Sequence, residues 1–474
     1  WKVGACSSPP ITATGTMDCI ALLGSTPTES EEPEEGEEDE DTPTGTTDGI
    51  GITETPEVPV TVSEEAEPIG LNWANVPVCP HDCPPWLLYH TNLTGDWEIF
   101  RLDGADEVNE VTSHINLSQG KGEEIEDMSP SLSPNGEWIV FTSNRDENWE
   151  IYLAPTDGDE SKIRRLTFNE IAIDTDPIWG PTNYIAYEST RDGNWNIYLM
   201  DMATGYEFQL TDSPASEINP FWSNDGAKLV FQSDVTGLWQ IYEVDLRTLE
   251  VKTLSDGTGD DVDPQYSFDN QTVAFRSYRD GGESVIYLMD ADGSNVRPIT
   301  PLEGDATNHA WSPDNQLIAF QSELDGDLDV YVYEVATGQT RKLTDNDIPD
   351  YAPMWRCDSR RVVFTSDINA NPDIFDASVV PLTAPPMDLL DEAEPVLQMT
   401  FEDAEDIYPE GMPPEENASR EGHLPAKVYT PVNTFEMLGR QTSFLEPAIY
   451  LTPLDPSSTR PGPDDFLSLN VCPQ

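Results

Sequence analysis

Basic residues and histidine are scarce in this sequence of 474 residues. Lys and Arg total 23 against 90 Asp and Glu, which gives a formal net charge of −67, and there are 5 His. A surface of this sign repels DNA, RNA and anionic lipid, because all of them carry phosphate charge. The sequence also lacks an apolar run of about 18 residues, the length a membrane-spanning helix needs. Binding to nucleic acid and spanning of a membrane are therefore not predicted.

Catalytic and cofactor motifs are missing as well. The sequence contains no G-x-S-x-G nucleophile elbow, no C-x-x-C-H haem attachment site, no P-loop and no dinucleotide-binding fingerprint. The five histidines, at positions 81, 90, 114, 309 and 423, do not have the spacing of zinc ligands. We therefore predict no catalytic residues and no enzymatic activity.

Cysteine is uncommon, with six residues at positions 6, 19, 79, 83, 357 and 472. The even number, together with a chain that begins at Trp1 rather than Met, favours disulfides in an exported, processed protein. Cys6 and Cys19 stand alone near the N-terminus and are predicted to pair with each other. The pairing of the other four cysteines stays open. The predicted location is extracellular or at the cell surface, with the periplasm as the alternative.

Helical periodicity is absent from residues 86–412, and a repeat takes its place. Aromatic residues close a strand-like phrase at Tyr89, Phe141, Tyr187, Phe231, Phe275, Phe320 and Phe364, with spacings of 52, 46, 44, 44, 45 and 44. A turn and a second phrase such as "WNIY" follow each of these aromatic residues. A third phrase then ends in a hydrophobic residue and a hydroxyl, as in "RRLT", and another precedes each aromatic residue, as in "DPIWGPTN".

Four short strands per repeat, seven times over, predict an all-β, seven-bladed β-propeller with a long N-terminal tail and a C-terminal extension. The segment "DAEDIYPEG" (403–411) copies "EIEDMSPSL" (124–132), the start of a repeat. We therefore expect residues 403–411 to supply the missing inner strand of the first blade, beside Trp86–Tyr89, and to close the ring. Eight blades are the alternative, if residues 424–453 form another blade.

Several repeat phrases resemble a known family. "WSPDN" (311–315), "LSPNG" (132–136), "NWNIYLMD" (194–201) and "RKLT" (341–344) are similar to the β-propeller repeat of TolB-type proteins over about residues 86–412. The resemblance implies a propeller that binds a partner protein in the periplasm.

Two sets of residues occupy equivalent positions in successive repeats. Trp97, Trp149, Trp195 and Trp239 precede the second phrase, where packing between blades is predicted and a sugar-binding aromatic row is the alternative. Acidic residues stand three positions before the inner-strand proline or its equivalent, at Asp127, Asp174, Glu217, Asp261, Asp350 and Asp406, with Ala306 as the exception.

These acidic residues are expected to form a ring where the inner strands begin. Carboxylates in such a ring could bind Ca²⁺, which prefers oxygen ligands. In the alternative, which we favour, each carboxylate braces its own loop by accepting backbone N–H groups. Further acids in the same loops, in "DTD" (174–176) and "GDDVD" (259–263), keep the calcium hypothesis open.

The predicted domains are a disulfide-bearing tail (1–23), an acidic arm (24–85), the propeller (86–412) and a C-terminal extension packed on the propeller (413–474). Within the arm, "EVPVTVS" (57–63) places Val58, Val60 and Val62 on one face of an extended strand, which suits addition to a blade edge.

Two functions follow from this organisation. The first is an exported structural subunit of a surface layer or filament, a homo-polymer in which the arm clamps an adjacent copy. The alternative is a monomeric, TolB-like extracytoplasmic module that binds a protein or a glycan.

Overall fold

The computed structural model describes residues 60–63, 66, 86–103, 113–120, 125–368, 372–379, 396–399 and 406–407. These residues belong to one compact unit, Pro56–Gln474. They form 28 strands, numbered β1 to β28 in chain order, which build seven antiparallel four-stranded sheets. Apart from one 3-10 turn, Glu160–Lys162, the described elements are all strands.

Each sheet is one blade, with an inner, a second, a third and an outer strand. The inner strands are β4 (Asp127–Leu132), β8 (Asp174–Trp179), β12 (Glu217–Trp222), β16 (Asp261–Tyr266), β20 (Thr307–Trp311), β24 (Asp350–Trp355) and β28 (Asp406–Ile407). The second strands are β1 (Trp86–Thr91), β5 (Trp138–Ser143), β9 (Tyr184–Ser189), β13 (Lys228–Ser233), β17 (Thr272–Ser277), β21 (Leu317–Ser322) and β25 (Arg361–Ser366).

The remaining strands complete the blades. The third strands are β2 (Glu98–Asp103), β6 (Glu150–Pro155), β10 (Asn196–Asp201), β14 (Gln240–Asp245), β18 (Val285–Asp290), β22 (Asp329–Glu334) and β26 (Asp373–Ser378). The outer strands are β3 (Ser113–Asn116), β7 (Arg164–Arg165), β11 (Glu207–Gln209), β15 (Glu250–Thr253), β19 (Arg297–Pro298), β23 (Gln339–Lys342) and β27 (Val396–Gln398).

Ring closure joins the two ends of the repeat region in one sheet. In blade 1 the strand order is β28-β1-β2-β3, so the inner strand comes from the C-terminal side of the chain. The register pairs His90 with Ile407 and Thr91 with Asp406. Both the seven blades and the closing segment predicted from the copied phrase are thereby confirmed.

The hydrophobic core lies between blades, because one thin sheet cannot cover both of its own apolar faces. In blade 2 the third strand β6 is buried at all six positions. Trp179 and Ile185 of the neighbouring blade 3 belong to the same core cluster as Val140 and Leu153 of blade 2. The repeated aromatic residues are at most 1% exposed, and each packs on an aromatic ring of the third strand, as Phe231 does on Tyr242 with ring centroids 5.8 Å apart.

In blades 1 to 6 the hydroxyl that ends the outer phrase bonds back to the third strand of its blade. Thr167 Oγ1 accepts from the backbone N–H of Ile151 at 2.9 Å and donates to Glu150 at 2.6 Å. The hydroxyl of Thr211 accepts from Ile197 in the same way in blade 3, also at 2.9 Å. The hydroxyl therefore extends the pairing of the outer strand past its last backbone bond, which explains why the phrase recurs.

A short segment of the arm lies along blade 3 of the same chain. Val62 pairs with Thr211 in an antiparallel bridge, and Ser63 N–H donates to the carbonyl of Leu210 at 3.0 Å. Val60 is 5% exposed and belongs to the core cluster shared by blades 3 and 4. The segment is thus added to a blade edge as expected, but the edge belongs to this chain.

That arrangement bears on the predicted homo-polymer. The hypothesis that Val60 and Val62 clamp an adjacent copy gains no support, because their observed partners lie in their own propeller. Val58 and the predicted pair Cys6 and Cys19 lie outside the described residues, as do Cys79, Cys83 and Cys472. Cys357 is disulfide-bonded. Across the described ranges we find no helix with the length and apolar character needed to cross a bilayer.

Two phenylalanines of blade 4 provide a test of where stability resides. Phe231 is fully buried, whereas Phe221 is 37% exposed. Phe231→Ala should lower the free energy of unfolding by about 3–5 kcal/mol, because it leaves a cavity between blades. Phe221→Ala should change it by about 0.5 kcal/mol or less, as is usual for surface substitutions. Urea denaturation followed by tryptophan fluorescence measures both, and equal losses would contradict the assignment of the core.

Candidate binding site at the propeller axis

Each inner strand of blades 2 to 7 contains a bulge near its start. The register shifts there, and the bulge residues have positive φ: Ser129 (50°), Asp176 (50°), Asn219 (57°), Asp263 (55°), Asn308 (50°) and Ala352 (55°). Asp and Asn tolerate this left-handed conformation better than most residues. Because a bulge re-aims the chain, it turns polar groups of the inner strands toward the axis.

The bulges are held by the preceding blade. In four of these six blades the N–H of the bulge residue donates to a side chain on the second strand of the preceding blade: Asp176 to Thr142 (3.0 Å), Asn219 to Glu188 (2.7 Å), Asp263 to Gln232 (2.9 Å) and Ala352 to Gln321 (2.7 Å). The other two blades follow His90, whose ring nitrogens have no hydrogen-bond partner, and Arg276, which has no acceptor to offer. Arg276 Nε lies 3.0 Å from the carboxylate of Asp263 in its own blade.

Further bonds connect the bulge side chains to one another. Ser129 Oγ donates to Asp176 Oδ1 at 2.6 Å. The amide nitrogen of Asn219 donates to Gln232 at 2.9 Å and to Asp263 Oδ1 at 3.2 Å. The bonds of Ser129 to Asp176 and of Asn219 to Asp263 cross from one blade to the next, so the axial polar groups form a connected network.

The inner strands of six blades surround a cavity of about 190 Å³. Its lining is mainly apolar and includes Pro177, Pro220 and Phe221. The polar lining groups are Ser129, Ser131, Asp176, Glu188, Asn219, Asp263, Gln265, Asn308 and His309. A concave, largely apolar pocket with a few convergent polar groups is the usual form of a binding site. We call it the axial pocket.

Four buried atoms of the axial pocket have no hydrogen-bond partner. They are Asp176 Oδ2, Glu188 Oε2, Asn219 Oδ1 and His309 Nε2. Glu188 is fully buried, and Asn219 and His309 are 4% and 3% exposed. Buried polar groups are nearly always paired in proteins, by protein or by water, so these four atoms are the candidate contacts for a ligand in the axial pocket.

The electrostatics of the axial pocket follow from its burial. Burial, and then the charge of nearby Asp176, raise the pKa of Glu188 well above its ordinary value. Burial also raises the pKa of Asp176, although the hydrogen bond from Ser129 opposes this. For His309, burial and then the charge of Arg276 lower the pKa to about 4, so its imidazole is neutral at pH 7.

The predicted acid ring lies where the inner strands begin, and the described side chains of the ring are fully buried. In three blades an arginine of the adjacent hairpin reaches the carboxylate: Arg145 to Asp127 (2.8 Å), Arg191 to Asp174 (3.0 Å) and Arg279 to Asp261 (2.6 Å). The carboxylates therefore brace their blades through side-chain donors, whereas the sequence analysis expected backbone N–H donors, and none of the five described ring carboxylates accepts one. The backbone of Asp406 begins β28, and its side chain is not among the described ones.

In blades 4, 6 and 7 the hairpin arginine is replaced, and the ring position has other partners or no charge. Val235 stands in its place in blade 4, and Glu217 there accepts from Ser233 at 2.8 Å and from Ser213. Leu324 in blade 6 accompanies Ala306, so neither charge is present. In blade 7, Asp350 accepts from Asn346 at 2.8 Å. Burial raises the pKa of both Glu217 and Asp350 to about 7.

Calcium binding by this ring stays a prediction. A separate acidic group, Asp325, Asp327 and Asp329, has carboxylate oxygens close enough to hold a metal ion. However, the ammonium of Lys342 lies 2.6 Å from Asp329 and also contacts Asp325. A cation of the chain itself thus already offsets part of the charge of this group, which supports a bracing role.

The tryptophan row lies at the seams between blades. Trp97 and Trp195 are 8% and 3% exposed, so they present no open aromatic platform. Their carbonyls accept the N–H of the next blade's ring acid, Asp127 and Glu217, at 2.9 Å in both cases. These contacts favour the packing interpretation over a sugar-binding row.

Sequence reasoning missed most of the axial pocket. The acids of "DTD" and "GDDVD" drew attention to Asp176 and Asp263, but Glu188, Asn219 and His309 were not singled out. A signal was present, since the residue before the last Ser or Thr of each second strand is polar in all seven repeats, from His90 to Thr365. In a strand that is otherwise apolar, such a position marks a polar interior.

The seven closed sheets with bulged inner strands define the class of this protein as a β-propeller. Residues 182–255 and 263–388 match the TolB β-propeller domain family. These propeller repeats are similar to those of TolB-type proteins, as the repeat phrases indicated.

Individual relatives are similar over part of their length. A TolB homolog of Chlorobium chlorochromatii (strain CaD3) is 27% identical over 149 residues, so the match spans 31% of this chain and 31% of that relative. The crystal structure of TolB from Acinetobacter baumannii is 20% identical with a TM-score of 0.40, over 62% of this chain and 77% of that one. An oligogalacturonate lyase from Vibrio parahaemolyticus is 18% identical with a TM-score of 0.47, over 57% and 80% of the two chains. At these values the two structures carry no argument about function.

The ring acid without an arginine gives a pH prediction. Glu217 has its pKa raised from 4.5 to about 7. Between these values the folded protein holds a proton that the unfolded chain releases, so the stability contributed at low pH is lost as pH rises toward 7. At about 1.4 kcal/mol per pKa unit the effect reaches about 3 kcal/mol. Glu217→Gln should remove this share of the decrease, measured as urea midpoints at pH 5 and pH 8.

The comparison with the parent protein separates this effect from general charge repulsion, which also grows with pH in so acidic a chain. Glu137→Gln, at an exposed position, is the matched control and should keep the full decrease. An unchanged pH dependence in Glu217→Gln would contradict the assignment.

Proposed function

We propose that this chain is a TolB-like, extracytoplasmic protein-binding module that holds an extended segment of a partner protein in its axial pocket. The observation that carries the proposal is the convergence of unpaired, buried polar atoms from blades 3, 4 and 6 on one mainly apolar cavity. The TolB type of the propeller supports it, because the resemblance implies a partner-binding role. The even number of cysteines supports the extracytoplasmic location.

The lining suits a polypeptide. Prolines line the axial pocket from five blades, and Phe221 remains 37% exposed beside them. Rigid apolar side chains provide contact area with little loss of side-chain entropy on binding. The unpaired polar atoms can then fix the orientation of the bound segment. A glycan is the weaker alternative, because Trp97 and Trp195 are buried at blade seams.

A binding role fits the hydroxyl groups of the axial pocket better than catalysis does. Ser129 Oγ donates to Asp176, and Ser131 Oγ accepts from the backbone N–H of Trp179 at 2.8 Å. A catalytic serine would instead donate to a base such as His309. The structural-subunit function is not proposed, because Val60 and Val62 contact their own propeller.

The proposal is tested with peptides selected on the full chain from a library of extended sequences. Phe221→Asp should weaken binding of the selected peptides at least tenfold, because it places a charge in the apolar lining of the axial pocket. Tyr206→Asp is the matched control: Tyr206 is 59% exposed and lies outside the pocket, so affinity should be kept. Fluorescence anisotropy with purified peptides gives the dissociation constants. Equal affinities for parent and Phe221→Asp would refute the axial site.

A further inference from the structure

The unpaired atoms on one side of the axial pocket are hydrogen-bond acceptors. Glu188 uses Oε1 for the N–H of Asn219 and has no partner at Oε2. Asp176 uses Oδ1 for Ser129 and has none at Oδ2. Asn219 donates through its amide nitrogen to Gln232 and Asp263, which leaves Oδ1 unpaired. Three buried oxygens, Glu188 Oε2, Asp176 Oδ2 and Asn219 Oδ1, therefore can accept hydrogen bonds from a ligand.

Comparison among blades shows that a carboxyl group is not needed at position 188 to hold the neighbouring bulge. Gln232 and Gln321 occupy the equivalent second-strand position and accept the same inter-blade N–H at 2.9 and 2.7 Å. A glutamine would thus suffice to hold the bulge at Asn219. The carboxyl group of Glu188 adds a second oxygen and, when it is ionised, a negative charge, and both are buried at a cost that the fold does not require.

We infer that the axial pocket takes a primary ammonium group, carried by a lysine side chain of the bound partner segment. This inference rests on the proposed protein-binding function. An ammonium has three donors and no acceptor, which matches the oxygens of Glu188, Asp176 and Asn219. The four-carbon stem of a lysine can pack along apolar surface while its charged end reaches polar groups. Pro177, Pro220 and Phe221 provide that surface in the pocket lining.

Other cations fit less well. Ca²⁺ takes about 6–8 oxygen ligands, whereas this side of the pocket offers three unpaired oxygens. An arginine would bring five donors in a planar fork, more than the acceptors present. The net charge of −67 favours the approach of any cationic segment to the chain.

The charged groups around Glu188 add a pH dependence. Asp176 raises its pKa, Asn219 hydrogen-bonds to it, and Asp263, Arg276 and His309 lie around the same axis. A bound ammonium favours the ionised carboxylate, so binding should release protons and weaken as the pH falls. Calorimetry in two buffers of different ionisation enthalpy measures that release directly.

The test uses the full chain and two peptides that differ in one charge. Acetyl-Leu-Lys-Leu-amide should bind at least tenfold more tightly than acetyl-Leu-norleucine-Leu-amide in isothermal titration calorimetry at pH 8. Glu188→Gln should lower the affinity for the lysine peptide at least tenfold and leave that for the norleucine peptide unchanged. Glu243→Gln is the matched control, a buried glutamate outside the pocket that pairs with Lys228 at 2.8 Å, and should change neither.

Several outcomes would overturn the inference. Equal affinity for the two peptides, or full affinity in Glu188→Gln, would leave a protein-binding pocket without a lysine subsite. Tighter binding of spermidine than of the lysine peptide would indicate a free amine, and binding of Ca²⁺ without the lysine peptide would indicate a metal site. Failure of both peptides together with loss of Phe221-dependent binding in the library experiment would instead refute the proposed function.

Discussion

The structure depends on one constraint: a four-stranded blade has two apolar faces that it cannot cover itself. Neighbouring blades must cover them, as Trp179 and Ile185 of blade 3 do for Val140 and Leu153 of blade 2. A row of such sheets would still leave its ends uncovered. The pairing of Thr91 with Asp406 removes those ends by bringing the last described strand into the first blade. Stability is thereby shared around a ring, and the inner strands are forced to meet at an axis.

Polar contacts between blades fix the position of each blade relative to its neighbour, which apolar packing alone does not do. The N–H groups of four bulge residues, such as Asn219 on Glu188, and the carbonyls of the tryptophan row attach inner strands to the preceding blade. The ring acids then hold the adjacent hairpins, as Asp174 does with Arg191. Because the repeat supplies these bonds many times, one blade can lose a partner without loss of the fold. Blade 6, with Ala306 and Leu324, has lost both members of the ion pair.

Departures from the repeat are therefore more informative about function than the repeat itself. Glu188 replaces a residue type that serves equally well in two other blades, and Arg276 replaces an acceptor by a donor. Both departures face the axis and affect the charge of one pocket. The arm segment shows a departure of another kind, since Val60 and Val62 cover the edge of blade 3. The local sequence of that segment favours an extended strand, but the blade edge that it joins is determined by the surface against which Val60 and Val62 pack.

The sequence by itself determined the number of blades, their strand order and the closing segment. These features follow from local pattern, because the spacing of aromatic residues and a copied segment can both be recognised along the chain without knowledge of its folding. The sequence also predicted that the inner strands begin at acidic residues. Only the tertiary structure decided what those acids contact, since Arg191 and Asp174 are brought together by a hairpin whose register the pattern does not specify. The tertiary structure also decided which residues meet at the axis. Glu188, Asn219 and His309 come from separate blades, so they converge because the ring closes and not because of any spacing along the chain.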